Sequence, residues 1–228
     1  GNARQFASDL LAMRAEELQA RVRSLGRLDL DAGRPLGVDL AAIIRDAGGL
    51  QVLSACLQLE DPEARSLALA WSKSLRADEV WLRTFVLPVV ENLGTADSDA
   101  PNAHMRALGR PDCRWAQPAL LSHLERLATR PSRSQNGRDD PERVGAFAAA
   151  QALAEIGDPA VIPALIEVLV HDRTGGLNYA VGYYGLSKLT GVDWQEEYDA
   201  DWWLEWWDKN RERLPAEVRG VTIDRAGR

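Results

Sequence analysis

Apolar residues recur along this chain at spacings of three and four, with charged residues between them. That pattern belongs to helices that bury one face. Phe6, Leu10, Met13, Leu18, Val22 and Leu25 make one stripe over residues 4–25, ended by Gly26. Residues 28–37 hold two glycines and a proline and read as a linker. A short helix over 40–47, capped by Asp39 and closed by Gly48 and Gly49, is followed by a second apolar run over 50–59. Asp61-Pro62-Glu63 is a helix start: an acceptor at the cap, a proline where no N–H is needed, an acid at the positive end. The helix it opens runs to about residue 75. Asp78 opens another, with Val80, Trp81, Phe85, Val89 and Leu93 predicted inward and Pro88 predicted to kink or split it. Residues 94–117 read as irregular, residues 118–128 as helix, and residues 131–140 as a polar loop. Asp140-Pro141-Glu142 repeats the start signal ahead of an Ala-rich helix over 144–156 that stops at Gly157. Asp158-Pro159 begins the next helix at once, and a third, over 177–189, closes on Thr190-Gly191. No paired runs of alternating polarity occur, so the expected fold class is all-α.

The last third of the chain repeats itself. Ala152-Leu153-Ala154-Glu155-Ile156-Gly157-Asp158 aligns with Gly185-Leu186-Ser187-Lys188-Leu189-Thr190-Gly191 at an offset of 33 residues. That is the length of one helix-turn-helix unit of an α-solenoid, which buries its apolar faces only by stacking on neighbours. The Ala-rich helix ending in Leu153-Ala-Glu-Ile-Gly-Asp158, followed by Pro159-Ala-Val-Ile-Pro-Ala-Leu165, resembles bacterial HEAT-like repeats of the phycobilisome-lyase type. The resemblance is strong over about residues 140–191 and extends more weakly over 50–93. The segment Trp202-Trp-Leu-Glu-Trp-Trp-Asp-Lys-Asn210 is similar to the Trp-rich helix that closes some of these arrays. The resemblance implies a short α-solenoid of HEAT-like hairpins over 36–228, preceded by an amphipathic helix and linker over 1–35. It implies a protein-binding scaffold or regulatory module, with an accessory enzyme or cofactor-lyase-type protein as the alternative. Members that hydroxylate lysine rely on His-Glu pairs at the repeat turns, and this chain has no His-Glu dipeptide.

Composition bounds the function more than it defines it. The 228 residues are 46% hydrophobic and 27% charged, enough to fill a sizeable core. Mean hydropathy is -0.28 and no run of about 18 apolar residues occurs, which argues against a membrane span. A net charge of -7 argues against a general nucleic-acid binder, which needs a basic surface. Cys56 and Cys113 are too few for a disulfide framework, although one bond between them is compatible with the sequence. The chain starts at Gly1, which suits either a cytoplasmic protein or an exported one that has lost its signal peptide.

No catalytic motif emerges. His104, His123 and His171 stand outside any metal-ligand spacing, and no phosphate loop or nucleophile elbow is present. Asp29-Leu-Asp31 and Asp97-Ser-Asp99 begin like calcium loops, but Leu40 and Leu108 stand where the closing Glu is required. Arg126, Arg130, Arg133, Arg138 and Arg143 read as a solvated loop, with a contact to an anion or an acidic partner as the alternative. The expectation is therefore no enzyme, no metal and no cofactor. Aromatic residues stand out instead. Trp202 with Trp206, and Trp203 with Trp207, form two stripes about 100° apart on one helix. One stripe is expected to seal the end of the stack and the other to reach outward. Tyr179, Tyr183 and Tyr184, with Asn178, are expected to line a groove. These eight residues are the candidate contact set. The acids around the tryptophans, Asp193, Glu196, Glu197, Asp199, Asp201, Glu205 and Asp208, point to a basic protein, a basic peptide or a cationic ligand.

Overall fold

The computed structural model describes residues 79–91, 100–129 and 141–226, with residues 9, 12–14, 16–21, 55, 56, 59, 61 and 65. The linker over 28–37, the short helix over 40–47, the loop over 131–140 and the boundary at residue 35 lie outside the described residues. The chain divides into two compact units: residues 1–89 with 98–107, and residues 90–97 with 108–228. Among the described residues there are helices and no strand, so the fold is all-α.

Helix α1 spans Glu79–Phe85 and α2 spans Leu87–Glu91. The split falls at Val86, just before Pro88, which has no N–H to offer the carbonyl of Thr84. Leu82, Val86 and Val90 are buried at a strict spacing of four. Val80 was expected inward but is 73% exposed. It stands two residues from Leu82, about 200° around the helix from the stripe that won. A second correction concerns residues 94–117. They contain helix α3, Ala100–Ala107, and a 3-10 turn, Pro111–Ala116. The prolines that suggested irregularity, Pro101 and Pro111, sit in first turns, where a missing N–H costs nothing.

In the second unit, α4 (Gln117–Thr129) packs on both α5 (Pro141–Ile156) and α6 (Ile162–His171). A π-helix, Asn178–Leu186, packs on α5 and α6 and runs into α7, Ser187–Thr190. Helix α8, Ala200–Asn210, closes against α6, and a final turn, α9, spans Ala216–Arg219. Ala146, Ala148, Ala149, Ala150 and Ala152 are all buried, because α5 is held between α4 and the π-helix and only small side chains permit that approach. Gly185 of the π-helix exploits the same closeness. A Cβ there would meet Leu165 Cδ1 at 3.3 Å and Ala150 at 3.6 Å.

The repeat ends are built alike. Gly157 and Gly191 have φ of +74° and +73°, and each donates its N–H to the carbonyl four residues back, Leu153 and Ser187. The backbone therefore pairs Gly157 with Gly191, one residue beyond the 33-residue offset of the sequence. Asp158 caps the next turn by accepting from the N–H of Ala160. Cys56 in the first unit and Cys113 in the second are both buried, and neither is in a disulfide. Burial pushes the Cys56 thiol up to about 12.

Candidate aromatic interaction site

Three tyrosines of the π-helix meet two further rings. Tyr179 and Tyr183, one turn apart, stack with centroids 5.4 Å apart and planes 5° apart. Tyr184 stands edge-on to both, at 5.7 and 4.9 Å. Phe147, from α5, stands edge-on to Tyr179 and Tyr184 at 5.9 and 5.6 Å. Trp194, from the loop before α8, stands edge-on to Tyr179 at 5.3 Å and Tyr183 at 6.0 Å. Such offset and edge contacts add about 0.5–1.5 kcal/mol per pair beyond area burial. The rings thus hold one another in place while the cluster stays at the surface. Tyr179 is 47% exposed, and Tyr183, Tyr184, Phe147 and Trp194 are half-buried.

Gly182 makes this arrangement possible. A Cβ at that position would lie 2.7 Å from Trp194 Nε1 and 3.5 Å from Asn178 Oδ1. Both of those atoms are buried and neither has a hydrogen-bond partner. Partial desolvation among the rings, then the Tyr184 hydroxyl, raises the Tyr179 phenol above the ordinary tyrosine value. The phenol is therefore a neutral donor at physiological pH.

A cleft of about 610 Å³ opens beside Asn178, with Asp172, Arg173, Asp199 and Asp201 on its walls. Two of its acids already serve the backbone. Asp172 accepts from the N–H groups of Thr174 and Leu177 and from the Thr174 hydroxyl. Asp199 accepts from Trp202 N–H and caps α8.

The structure divides the tryptophan set. Trp203 and Trp207 are 0% and 1% exposed, so they seal the stack together with Leu204. They are the stripe of the candidate contact set that turns inward. Trp202 and Trp206, on the other stripe, are half-buried. Tyr198 stacks on Trp202 with centroids 3.7 Å apart. Charge around α8 is largely satisfied within the molecule: Lys209 pairs with Glu205, and Arg225 with Asp208. Asp193, Glu196 and Glu197, in the loop that carries Trp194, are exposed and make no ion pair among the described residues.

Tyr179, Tyr183 and Tyr184, three of the residues named from the sequence, meet in the structure, and Asn178 precedes them on the same helix. Sequence reasoning missed Phe147 and Trp194. Phe147 is the one large side chain in the run Ala146–Ala150, which is the signal that could have found it.

The histidines do not form a centre. Among the described residues, no group of three or more His, Cys, Asp or Glu side chains is placed to hold a metal ion. His171 ends α6, with Nε2 4.0 Å from Asp224. His123 is buried on α4, where Arg126 Nη2 lies 2.8 Å from its Nδ1. A guanidinium can only donate, so Nδ1 accepts and the neutral ring carries its proton on Nε2. That atom is buried without a partner. Burial, then the Arg126 charge, lowers the His123 value to about 4. No described helix is long and apolar enough to cross a membrane.

The stacked hairpins, the glycine-ended turns and the Asp-Pro starts define an all-α helical-repeat protein. Residues 146–171 match the family described as the PBS lyase HEAT-like repeat. The match covers α5 from Ala146 onward, the turn at Gly157 and α6. No curated protein and no solved structure matches the chain.

Proposed function

We propose that this protein is a non-catalytic interaction module that binds a partner protein through the aromatic surface of its last repeat. The carrying observation is the five-ring cluster of Phe147, Tyr179, Tyr183, Tyr184 and Trp194, fixed by its own ring contacts yet open at Tyr179. Pre-ordered aromatic side chains bind with little loss of conformational freedom, and tyrosine and tryptophan dominate binding hot spots. The polar groups nearby support the same reading. Asp172 and Asp199, on the wall of the cleft beside Asn178, accept from backbone N–H groups and so hold local structure in place.

The test is cross-linking capture from the native host with the wild type and with Tyr179→Ala, after both are checked for equal helicity. One partner recovered in near-equal amount and lost in the variant supports an interaction module acting through this surface. A partner retained in full by the variant moves the surface elsewhere. No partner with either protein, together with a small molecule that raises the melting temperature, favours the accessory-enzyme or cofactor-lyase reading.

A further inference from the structure

We infer that the tyrosine cluster is a site for a cationic side chain of the partner, lysine or arginine, and that Lys188 of this chain occupies part of it in the free protein. The inference rests on the proposed interaction surface and specifies what that surface accepts. Lys188 Nζ lies 5.0 Å from the centroid of the Tyr183 ring. It makes no ion pair among the described residues, although Asp193, Glu196 and Glu197 are close in sequence and equally unpaired. Its ammonium group rests on the face of that ring. The negative faces of Tyr and Trp rings attract cations in this way. The loop over 193–199 carries Asp193, Glu196, Glu197 and Asp199 and no Lys or Arg. It also supplies Trp194 to the cluster, so acidic charge and ring faces come from the same segment. The α8 surface lacks this combination, because Glu205 and Asp208 are already paired there. A basic peptide segment fits the tyrosine cluster by both ring geometry and charge.

If Lys188 is a stand-in, it competes with the incoming cation. The probe is a short peptide of alternating lysine and serine, titrated calorimetrically into the full chain. Its counterpart carries norleucine at each lysine, which keeps the apolar stem and removes the charge. The expected results are binding of the lysine peptide alone and weakening of about tenfold in Tyr179→Leu or Tyr183→Leu. Lys188→Met is expected to tighten binding about threefold to tenfold. Lys209→Met removes the same charge from a lysine that pairs with Glu205 away from the rings, and it should change affinity little. Equal binding of the norleucine peptide, or equal tightening by Lys188→Met and Lys209→Met, overturns the inference. Circular dichroism of each variant separates loss of binding from loss of fold. A partner that Tyr179→Ala loses in capture, with no binding of the lysine peptide, removes the cationic occupant and leaves the interaction surface standing.

Discussion

His123 carries a testable consequence for acid stability. Its folded value is about 4, against an ordinary 6.5. Between those values the unfolded chain binds a proton that the folded one rejects. Stability from this group is therefore full above about pH 6.5, declines as pH falls toward 4, and changes no further below that. The loss between about pH 7 and pH 5 amounts to about 2 kcal/mol. Urea unfolding at the two pH values measures it, and His123→Gln should flatten that difference. A second residue-scale expectation concerns the repeat ends. No atom would lie within 4 Å of a Cβ at Gly191, whose φ is +73°. Gly191→Ala should thus cost only backbone strain, about 1–2 kcal/mol in thermal or chemical unfolding. Gly157→Ala should cost a similar amount for the same reason.

At the scale of elements, the closing helix and the π-helix make opposite demands on tryptophan. Trp203→Ala or Trp207→Ala should destabilise by about 3–5 kcal/mol, since each empties a fully buried site between α8 and its neighbours. Trp206→Ala, on the half-buried stripe, should cost about 1 kcal/mol or less. Differential scanning calorimetry of the three variants checks which stripe seals the stack. Gly182→Ala is expected to cost about 1–3 kcal/mol, because its Cβ meets the Trp194 ring and that ring is wedged against Tyr179 and Tyr183. The helices from α4 to α8 were legible because apolar periodicity, Asp-Pro starts and terminal glycines are local signals. The helical pairing of Tyr179 with Tyr183 was legible for the same reason. Which tryptophan stripe turns inward was not, since α6 decides it and the helix alone offers two equivalent stripes. Residues 100–107 were misread because a proline marks a helix start as readily as a break, and only the backbone around Pro101 distinguishes the two. The π-turns left no sequence signal beyond Gly182 and Gly185, which look like ordinary helix-contact glycines.

At the scale of the whole molecule, the net charge of -7 acts through its distribution. The unpaired share of it lies in part on the loop that holds Trp194. Association with a basic peptide should therefore slow several-fold as ionic strength rises from about 0.02 M to about 0.5 M, which stopped-flow mixing can measure. Dissociation should respond less, since the ring contacts are short-ranged. The division into two compact units is a fact that periodicity could not supply, because it depends on which distant segments pack together. It also gives the two cysteines a use. One buried thiol outside any disulfide lies in each unit, Cys56 in the first and Cys113 in the second. A thiol reagent can reach either sulfur only after local opening. The natural sequence thus contains a pair of internal clocks: matching labelling rates mean that the halves breathe as one cooperative body, and separate rates mean that each keeps its own time.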